Sequence, residues 1–367
     1  MAYRSGNPRY QRQTSLKELG EDGQERLYNA KVLVIGAGGL GCPALQYLVA
    51  AGVGTIGIAD HDQVSLSNLH RQVLYSTDDI GLSKALRAAD ILASLNTEIE
   101  INAINTLLTS SNSLDIISQY DIILDGTDNF ASRYMINDAC VILDKTLVYG
   151  AISRFEGQVA IFNDRKEGEI STNYRDLFPD IPAEGEIQNC EETGVLGVLP
   201  GIIGCMMASE TIKLIAGIGD PLINRLITYN TLNNQIYELE IQALPDTRLL
   251  IPSNAGEFKQ TDYDWLCSGV SMPELEPDLF TQMLDHSEIS VIDVRETHEI
   301  PLINEFEHQN IPLSVFRSKL ASISADTVIL FCQAGKRSAQ AAKIMSEYYG
   351  NSKKIYSLKG GIINWKK

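Results

Sequence analysis

The sequence predicts an α/β protein with a Rossmann-like, doubly wound mixed sheet, followed by a second, smaller α/β unit. Two observations predict this class. Short β-branched runs alternate with helical stretches in the first part of the chain, which is typical of parallel sheets covered by helices. The alternation is lost after Pro245 and starts afresh near Pro273. A chain of 367 residues is also long enough for two or three domains.

The elements of the first sheet follow from the hydrophobic pattern. Residues 31–35, 55–60, 99–105 and 121–127 are apolar runs that predict buried strands, and residues 43–51 have helical spacing. Residues 147–163 instead alternate apolar and polar side chains around Glu156 and Gly157, which predicts antiparallel strands. We therefore expect a mixed sheet. Residues 165–188 show no clear period and predict a long, mobile crossover loop.

The composition disfavours several classes of protein. A formal net charge of −17 disfavours partners such as nucleic acid or an anionic membrane. The chain opens on no secretory signal, so we expect a cytoplasmic protein whose six scattered cysteines are thiols. Charged residues interrupt the apolar residues 195–208 before the roughly 20 that a bilayer span requires. That stretch therefore favours a buried helix or a subunit interface.

A glycine-rich loop follows the first predicted strand. In GAGGLG, the residues Gly36, Gly38, Gly39 and Gly41 allow a tight turn and a close approach to phosphate oxygens. Asp60, at the end of the next strand, is placed to accept hydrogen bonds from ribose hydroxyls. Taken alone, the motif suits NAD as well as ATP, and an ordinary strand-to-helix turn is a further alternative.

The residues after Asp60 favour ATP over NAD. Asn68, Arg71 and Lys84 supply hydrogen-bond donors and positive charge for a triphosphate. Asp128, in DGTDN, follows a buried strand at the sheet edge where open α/β sheets bind ligands. One carboxylate together with substrate phosphates is a suitable ligand set for Mg²⁺. The alternative for Asp128 is a helix N-cap.

Several separated motifs together resemble one family. RYQRQ, GAGGLGCPALQYLVAAGVG, the run of residues 60–72, DGTDN and CEETGVLGVLPGIIG resemble the MoeB/ThiF (HesA/MoeB/ThiF) family, whose members are related to ubiquitin-activating enzymes. The resemblance covers residues 1–245. It implies ATP-dependent adenylation of the C-terminal Gly-Gly carboxylate of a ubiquitin-fold sulfur carrier protein, with release of pyrophosphate.

The resemblance also implies residue roles by motif match. They are ribose binding by Asp60, phosphate binding by Asn68, Arg71 and Lys84, Mg²⁺ binding by Asp128, and contact with the nucleotide of a partner subunit by Arg12. The role of Arg12 implies a homodimer. Cys190 occupies the position of a cysteine that, in relatives, forms a covalent adduct with the carrier or resolves a disulfide. The alternative is that Cys190 has no chemical role.

The sequence departs from the family at its structural zinc site. Many members carry two Cys-x-x-Cys pairs, but the first pair is replaced here by Asn173 and Asp176. A second pair is missing between Pro245 and Cys267. We therefore expect no structural zinc and another way of holding this loop.

The C-terminal unit carries a second reactive motif. In CQAGKRS, Cys332 follows the buried run VILF and precedes a predicted helix, whose backbone N–H groups favour a thiolate or persulfide, and Arg337 adds a positive charge. With VIDVRE and LKGGIINW, residues 273–367 resemble a rhodanese domain, which leaves residues 246–272 as a linker or docking strap. Asp293 and Arg295 are expected to brace this fold. A buried core cysteine and an inactive docking module are the alternatives.

The two resemblances combine into one functional hypothesis. The enzyme adenylates the carrier and then transfers sulfur from a Cys332 persulfide to form a thiocarboxylate, as in molybdopterin or thiamine biosynthesis. The persulfide would come from a donor such as a cysteine desulfurase. Two rival hypotheses stay open: a Rossmann oxidoreductase fused to a sulfurtransferase, and a non-catalytic scaffold that binds carrier proteins.

Overall fold

The chain divides into two compact units. A computed structural model describes residues 4–164, 170–179, 194–261, 263, 274–284, 289–297, 299–300 and 302–365. The first unit is Met1–Ser268 and the second is Gly269–Lys367.

The first unit is built on one mixed sheet. Its strands are β1 Lys31–Ile35, β2 Thr55–Ala59, β3 Glu100–Ile104, β4 Ile122–Asp125, β5 Thr146–Ser153, β6 Glu156–Phe162, β7 Arg225–Asn230 and β8 Gln235–Glu240. They lie in the order β3-β2-β1-β4-β5-β6-β7-β8, parallel from β3 to β5 and antiparallel from β5 to β8. The predicted doubly wound, mixed sheet is confirmed.

Helices cover both faces of this sheet. They are α1 Gln11–Thr14, α2 Gly20–Asn29, α3 Gly41–Ala51, α4 Lys84–Leu95, α5 Ser113–Ile117, α6 Phe130–Leu143, α7 Tyr174–Leu177, α8 Val198–Ala216 and α9 Ala255–Gln260, with 3₁₀ turns at Leu66–Asn68, Thr77–Asp79 and Pro245–Leu250. Val32 and Val34 point into one core, and Leu33 and Ile35 into the other. This explains why β1 is apolar at consecutive positions, as buried parallel strands are.

The apolar helix α8 belongs to one of these cores. Among the described residues it is the one helix long and apolar enough to cross a membrane. However, it packs against α3, β5 and β6, and its Leu199, Ile203 and Met207 are buried in the core. The prediction of a buried helix in this stretch is confirmed.

Residues 170–179 correct the prediction of a long, mobile loop. Asn173 caps the short helix α7, and Arg175 is buried within it. The Arg175 guanidinium donates to both carboxylate oxygens of Asp138 on α6, at 2.8 Å and 2.7 Å. The Tyr263 hydroxyl donates to the same carboxylate at 2.8 Å. Sequence periodicity missed this segment because a single turn, held by buried hydrogen bonds and by the buried Tyr174 ring, is too short to show a period.

A second set of hydrogen bonds ties α7 to the end of the domain. The Asp176 carboxylate accepts the Asn173 backbone N–H and side-chain amide, each at 2.8 Å. Its other oxygen accepts the Leu244 N–H at 2.9 Å and the Thr247 hydroxyl. We call the contacts among Asn173, Asp176, Leu244 and Thr247 the polar clasp. It joins two segments about 70 residues apart in sequence, which a loop without side-chain partners could not do.

The second unit has its own sheet and cores. Its strands are β9 Glu274–Leu275, β10 Ile289–Asp293, β11 Gln309–Asn310, β12 Thr327–Phe331 and β13 Lys354–Leu358. They are parallel, in the order β11-β10-β12-β13-β9. The helices are α10 Pro277–Met283, α11 Leu313–Lys319, α12 Lys336–Tyr349 and α13 Gly361–Trp365, with 3₁₀ turns at Leu320–Ser322 and Gly350–Ser352. Apolar clusters pack on both faces of the sheet, as predicted for a small α/β unit.

The buried pair between Asp138 and Arg175 should matter strongly for stability. We expect Asp138→Asn to lower the free energy of unfolding of the first unit by about 3–5 kcal/mol, because the Arg175 guanidinium would stay buried without its counter-charge. Asp220→Asn is the matched control, because Asp220 also pairs with an arginine but its side chain is 63% exposed. Its loss should stay below about 1 kcal/mol. Equal losses in urea unfolding would contradict the prediction.

Candidate nucleotide site and cysteine loop

The glycine-rich loop lies where the strand order of the sheet reverses, between β1 and β4. Gly36 has a φ of +90°, and a Cβ atom there would lie 2.9 Å from the carbonyl oxygen of Gly126. A Cβ atom on Gly41 would lie 1.9 Å from the carbonyl oxygen of Gly36. Only glycine allows these approaches. The tight passage leaves a crevice at the carboxyl ends of the strands, where open α/β sheets bind ligands.

A cavity of about 520 Å³ occupies this crevice. Its size falls within the range of about 300–1,000 Å³ that is usual for small-molecule sites. Most of the predicted nucleotide-site residues line it: Gly36, Gly38, Gly39, Asp60, Arg71, Lys84 and Asp128. Side chains from four different parts of the first unit therefore meet at one site.

Among the described residues, three of those predicted for the first unit do not line this cavity. Gly41 lies behind the loop, where it permits the close approach to Gly36. Asn68 is buried, and its Oδ1 accepts the Ser65 N–H at 3.2 Å, which fixes the turn before Arg71. Arg12 is exposed on α1. Cys190 lies outside the described residues. The roles predicted for these residues stay predictions.

Local partners hold Arg71 and Lys84, the two predicted cations of the cavity. The Lys84 ammonium lies 2.9 Å from Asp62 Oδ2. Arg71 Nη1 donates to the Ser67 carbonyl oxygen at 3.1 Å and lies 2.8 Å from His70 Nε2. Lys84 starts α4, whose cap is the Ser83 side chain. Both cations are thus presented to the cavity by short, well-defined turns.

Asp60 links the second strand to the glycine-rich loop. Its carboxylate accepts the Ala37 N–H and the Asp62 N–H, each at 2.8 Å. Burial raises the pKa of the Asp60 carboxyl. Ligand atoms of Asp60, His61 and Asp62 lie within 4.8 Å of one another, so this turn also offers oxygen and nitrogen atoms to a cation.

The turn after β4 tests the helix-cap alternative for Asp128. Asn129 is the N-cap of α6, because its Oδ1 accepts the Ser132 N–H at 2.8 Å. The helix-cap alternative for Asp128 is therefore wrong, and the exposed Asp128 side chain lines the cavity. Arg133 Nη2 donates to the Thr127 carbonyl oxygen at 3.1 Å, which anchors this turn from below.

Sequence reasoning missed Arg133. This residue lines the cavity although only 8% of it is exposed, and its guanidinium lies 5.6 Å from the Tyr149 ring centre. Burial raises the pKa of the nearby Asp125 carboxyl, while the Arg133 charge and hydrogen bonds from Thr127 oppose that rise. The signal in the sequence was an arginine one turn into the helix that follows DGTDN.

The cysteine loop of the second unit lies between β12 and α12. Cys332 is 1% exposed, and its Sγ accepts the Gly335 N–H at 3.2 Å and lies 3.6 Å from the Ser338 hydroxyl. A Cβ atom on Gly361 would lie 2.6 Å from the Cys332 carbonyl oxygen, and the Ile362 N–H donates to that oxygen at 2.9 Å. LKGGIINW therefore packs directly against the loop. The loop closes around the sulfur atom, as a sulfur-carrying site requires.

Ion pairs surround this loop. Arg295 donates to both Asp293 oxygens and both residues are buried, so the predicted bracing role is confirmed. Arg337 pairs with Glu299 through both guanidinium Nη atoms. Hydrogen bonding to Arg337 lowers the pKa of the Glu299 carboxyl, and the same bonding raises the pKa of Arg337.

Comparison with known families assigns both units. Residues 10–249 match the ThiF family, and residues 276–367 match the rhodanese-like domain. Solved structures of E. coli MccB have a similar fold, for example with a TM-score of 0.56, 22% identity, and coverage of 66% of this chain and 74% of MccB.

Full-length relatives share both units. This chain is 41% identical to a probable adenylyltransferase/sulfurtransferase MoeZ of Mycobacterium tuberculosis, over 98% of this chain and 92% of that protein. It is 36% identical to adenylyltransferase and sulfurtransferase MOCS3 of Arabidopsis thaliana, over 97% and 82%. A sulfur carrier protein adenylyltransferase of Thermus thermophilus is 49% identical over 65% of this chain and 88% of that protein. The chain therefore belongs to the ThiF family and is an adenylyltransferase with a C-terminal rhodanese-like domain.

Proposed function

We propose that this enzyme uses ATP to adenylate the C-terminal glycine of a ubiquitin-fold sulfur carrier protein and then converts it to a thiocarboxylate. The observation that carries the proposal is the cavity, in which Asp60, Arg71, Lys84 and Asp128 meet beside the glycine-rich loop. An oxidoreductase would need no such set of cations. Adenylyltransferases and sulfurtransferases among the relatives support the same function.

The adenylation step needs alignment and charge neutralisation rather than a covalent group on the enzyme. A carboxylate oxygen of the carrier attacks the α-phosphorus of ATP, the bond to the bridging oxygen breaks, and pyrophosphate leaves with the electron pair. We infer that Asp60 holds the ribose while Arg71 and Lys84 neutralise the phosphates, with Asn68 supporting the turn. The glycines Gly36, Gly38 and Gly39 let the backbone approach the nucleotide.

We assign Mg²⁺ binding to Asp128. The exposed carboxylate at the mouth of the turn, together with substrate phosphates, is the donor set that Mg²⁺ prefers. When bound, the ion would offset the charge of the leaving pyrophosphate. Arg133 would hold the Asp128 turn through its bond to the Thr127 carbonyl oxygen.

Sulfur transfer would follow from Cys332. The terminal sulfur of a Cys332 persulfide attacks the acyl carbon of the carrier adenylate, and AMP leaves. A thiolate then attacks the Cys332 sulfur, the thiocarboxylate leaves, and a disulfide remains to be reduced by a cellular dithiol. We propose Cys190 as that thiolate and a cysteine desulfurase as the source of the persulfide. Tethering raises the effective concentration of the persulfide over that of a free donor.

The cellular setting is also a proposal. A relative from Porphyra purpurea is a probable molybdopterin-synthase adenylyltransferase, 35% identical over 97% of this chain, which favours a molybdopterin carrier over a thiamine carrier. We propose a cytoplasmic homodimer in which Arg12 of one subunit reaches the nucleotide of the other, supported by the exposure of Arg12 on α1.

We further propose that the adenylation domain contains no structural zinc. The residues at the place of the first cysteine pair do not fit a zinc site, because Asn173 and Asp176 already use their side chains in the polar clasp. The clasp joins α7 to residues 244–247, near the end of the domain. Hydrogen bonds would thus do what the metal does in zinc-containing relatives.

The adenylation assignment predicts a specific loss of activity. We expect Asp128→Asn to lower carrier-dependent ATP–pyrophosphate exchange by at least about 100-fold and to raise the Mg²⁺ concentration needed for half activity, because charge stabilisation of this kind is worth a few kcal/mol. Asp90→Asn, an exposed aspartate on α4, is the control and should retain full exchange. Full exchange by Asp128→Asn would exclude the role of this carboxylate, whereas no exchange by the wild type with any carrier would leave the scaffold hypothesis. Binding of NAD but not ATP would favour the oxidoreductase.

A substitution of Cys332 should separate the adenylation step from the sulfur-transfer step. We expect Cys332→Ser to keep ATP–pyrophosphate exchange but to form no thiocarboxylate, since the hydroxyl carries no sulfane sulfur. Mass spectrometry of the carrier measures the product, because the carrier gains about 16 Da when sulfur replaces oxygen. Cys205→Ser is the control, because Cys205 lies on α8 in the first unit. Thiocarboxylate formation by Cys332→Ser would refute the persulfide step.

The zinc proposal predicts stability without metal. We expect less than about 0.1 zinc per chain after purification and no change in the unfolding midpoint with EDTA, because hydrogen bonds rather than thiolates join the two segments. Asp176→Ala should destabilise the first unit by about 2–4 kcal/mol, because several buried donors lose their acceptor. Stoichiometric zinc, or unfolding by EDTA, would contradict the proposal.

A further inference from the structure

The positive charge beside the cysteine loop is matched by a negative one. Arg337 follows Cys332 by five residues and lies in the first turn of α12. Its Nη2 donates to Glu299 Oε2 at 2.8 Å, and its Nη1 contacts Glu299 Oε1. This two-bond geometry is the most specific that an arginine makes with a carboxylate. The cysteine loop therefore faces a neutral pair at Arg337 rather than a bare cation.

The Glu299 side chain is fixed by its own turn. Its Oε1 accepts the Glu296 N–H at 2.8 Å, and the Glu299 N–H donates to the Glu296 carbonyl oxygen at 3.0 Å. Its side chain is only 19% exposed. A carboxylate held in this way stays beside Arg337 instead of exchanging with solvent, which sets it apart from an ordinary surface ion pair.

Two classes of donor could load sulfur onto Cys332. With thiosulfate, the thiolate attacks the outer sulfur, the sulfur–sulfur bond breaks, and sulfite leaves with the electron pair. With a persulfide on a donor protein, the thiolate attacks the terminal sulfur and the donor cysteine leaves as a thiolate. A small dianion depends on local positive charge for binding, whereas a donor protein is held by its own contact surface.

We propose that Glu299 is a specificity-determining residue: by neutralising Arg337 it directs the second unit toward a protein-borne persulfide and away from small dianionic donors. This inference rests on the proposed sulfur-transfer role of Cys332. The protein-borne donor belongs to that proposed function; the new element is a residue, Glu299, that selects this donor over small dianions.

A charge-sensitive reaction tests the role of Glu299 without any sulfur transfer. In the full chain, alkylation of Cys332 by anionic iodoacetate and by neutral iodoacetamide is followed by peptide mass spectrometry at low salt. The rate constant for iodoacetate divided by that for iodoacetamide should rise about five-fold in Glu299→Gln and fall in Arg337→Gln, because each variant leaves one charge uncompensated. The double variant should return to within about two-fold of the wild type, and high salt should reduce every difference.

The two single variants should change this ratio in opposite directions, and this makes the test decisive. An unchanged ratio in Glu299→Gln would overturn the proposal. If Glu299→Gln loses its fold, both alkylation rates rise toward those of free cysteine, and the fall in the Arg337→Gln variant then decides. An Arg337→Gln ratio equal to that of the wild type would also overturn it.

Donor competition tests the specificity itself. The wild type and Glu299→Gln are loaded with thiosulfate or with the persulfide of a cysteine desulfurase, and kcat/KM is measured for each donor. The ratio of the two constants should shift about ten-fold toward thiosulfate in the variant. If Glu299→Gln changed kcat/KM by the same factor for both donors, the proposal would be overturned. If the wild type accepts sulfur from no donor, the proposed sulfur transfer fails, whereas the alkylation ratio still reports on Glu299.

Discussion

The close passage of backbone at the ends of β1 and β4 is the constraint on which the nucleotide site depends. Gly36 and Gly41 admit no side chain, since a Cβ atom on Gly41 would lie 1.9 Å from the Gly36 carbonyl oxygen and one on Gly36 would lie 2.9 Å from the Gly126 carbonyl oxygen. This contact starts α3 immediately after the strand and opens the crevice beside it. The Asp60 carboxylate then accepts the Ala37 N–H of the same loop, which fixes the second strand to the first at the level of the cavity. The turn after β4, anchored by Arg133, completes the wall. A larger residue at any of these glycines would remove the site as well as the packing.

A second constraint lies at α7, where buried hydrogen bonds join two segments of the chain that are distant in sequence. Four thiolates around zinc join two segments through one ion, and they need little from the surrounding core. The polar clasp joins its segments through one carboxylate that accepts from Asn173, Leu244 and Thr247. Such an arrangement stabilises only if every donor is satisfied, because a buried carboxylate is costly when it is left unpaired. The neighbouring pair of Asp138 and Arg175, bonded also by Tyr263, supplies the dense packing that the clasp needs.

The parts of the structure that could be predicted from sequence are those with a periodic or glycine signal. The strand 31–35, the antiparallel pair around Glu156 and the position of Asp128 at a cavity on the sheet edge all have one, and the structure agrees with each of these placements. The missed features lack such a signal. The buried turn at residues 173–176 reads as a polar loop, because hydrogen bonds to residues 70 positions away do not appear in local periodicity. Arg133 reads as a surface charge on a helix, although it lies 8% exposed beneath the cavity. The pairing of Glu299 with Arg337 depends on a contact across 38 positions in the chain.

Whether each cation can bind an anion depends on how firmly its carboxylate partner is fixed by other contacts. Each unit holds one site cation paired with a carboxylate, Lys84 in the first unit and Arg337 in the second. Lys84 pairs with Asp62, whose side chain is 54% exposed, whereas Arg337 pairs with Glu299, whose side chain is 19% exposed and fixed by Glu296. In the proposed adenylation, Asp62 returns to water at little cost, which leaves Lys84 available to the phosphates of ATP. Glu299 has no comparable route to solvent, so Arg337 stays neutralised. In the proposed mechanism, the ion pair of the first unit therefore opens and leaves Lys84 free to bind an anionic substrate. The ion pair of the second unit stays closed and keeps Arg337 neutralised.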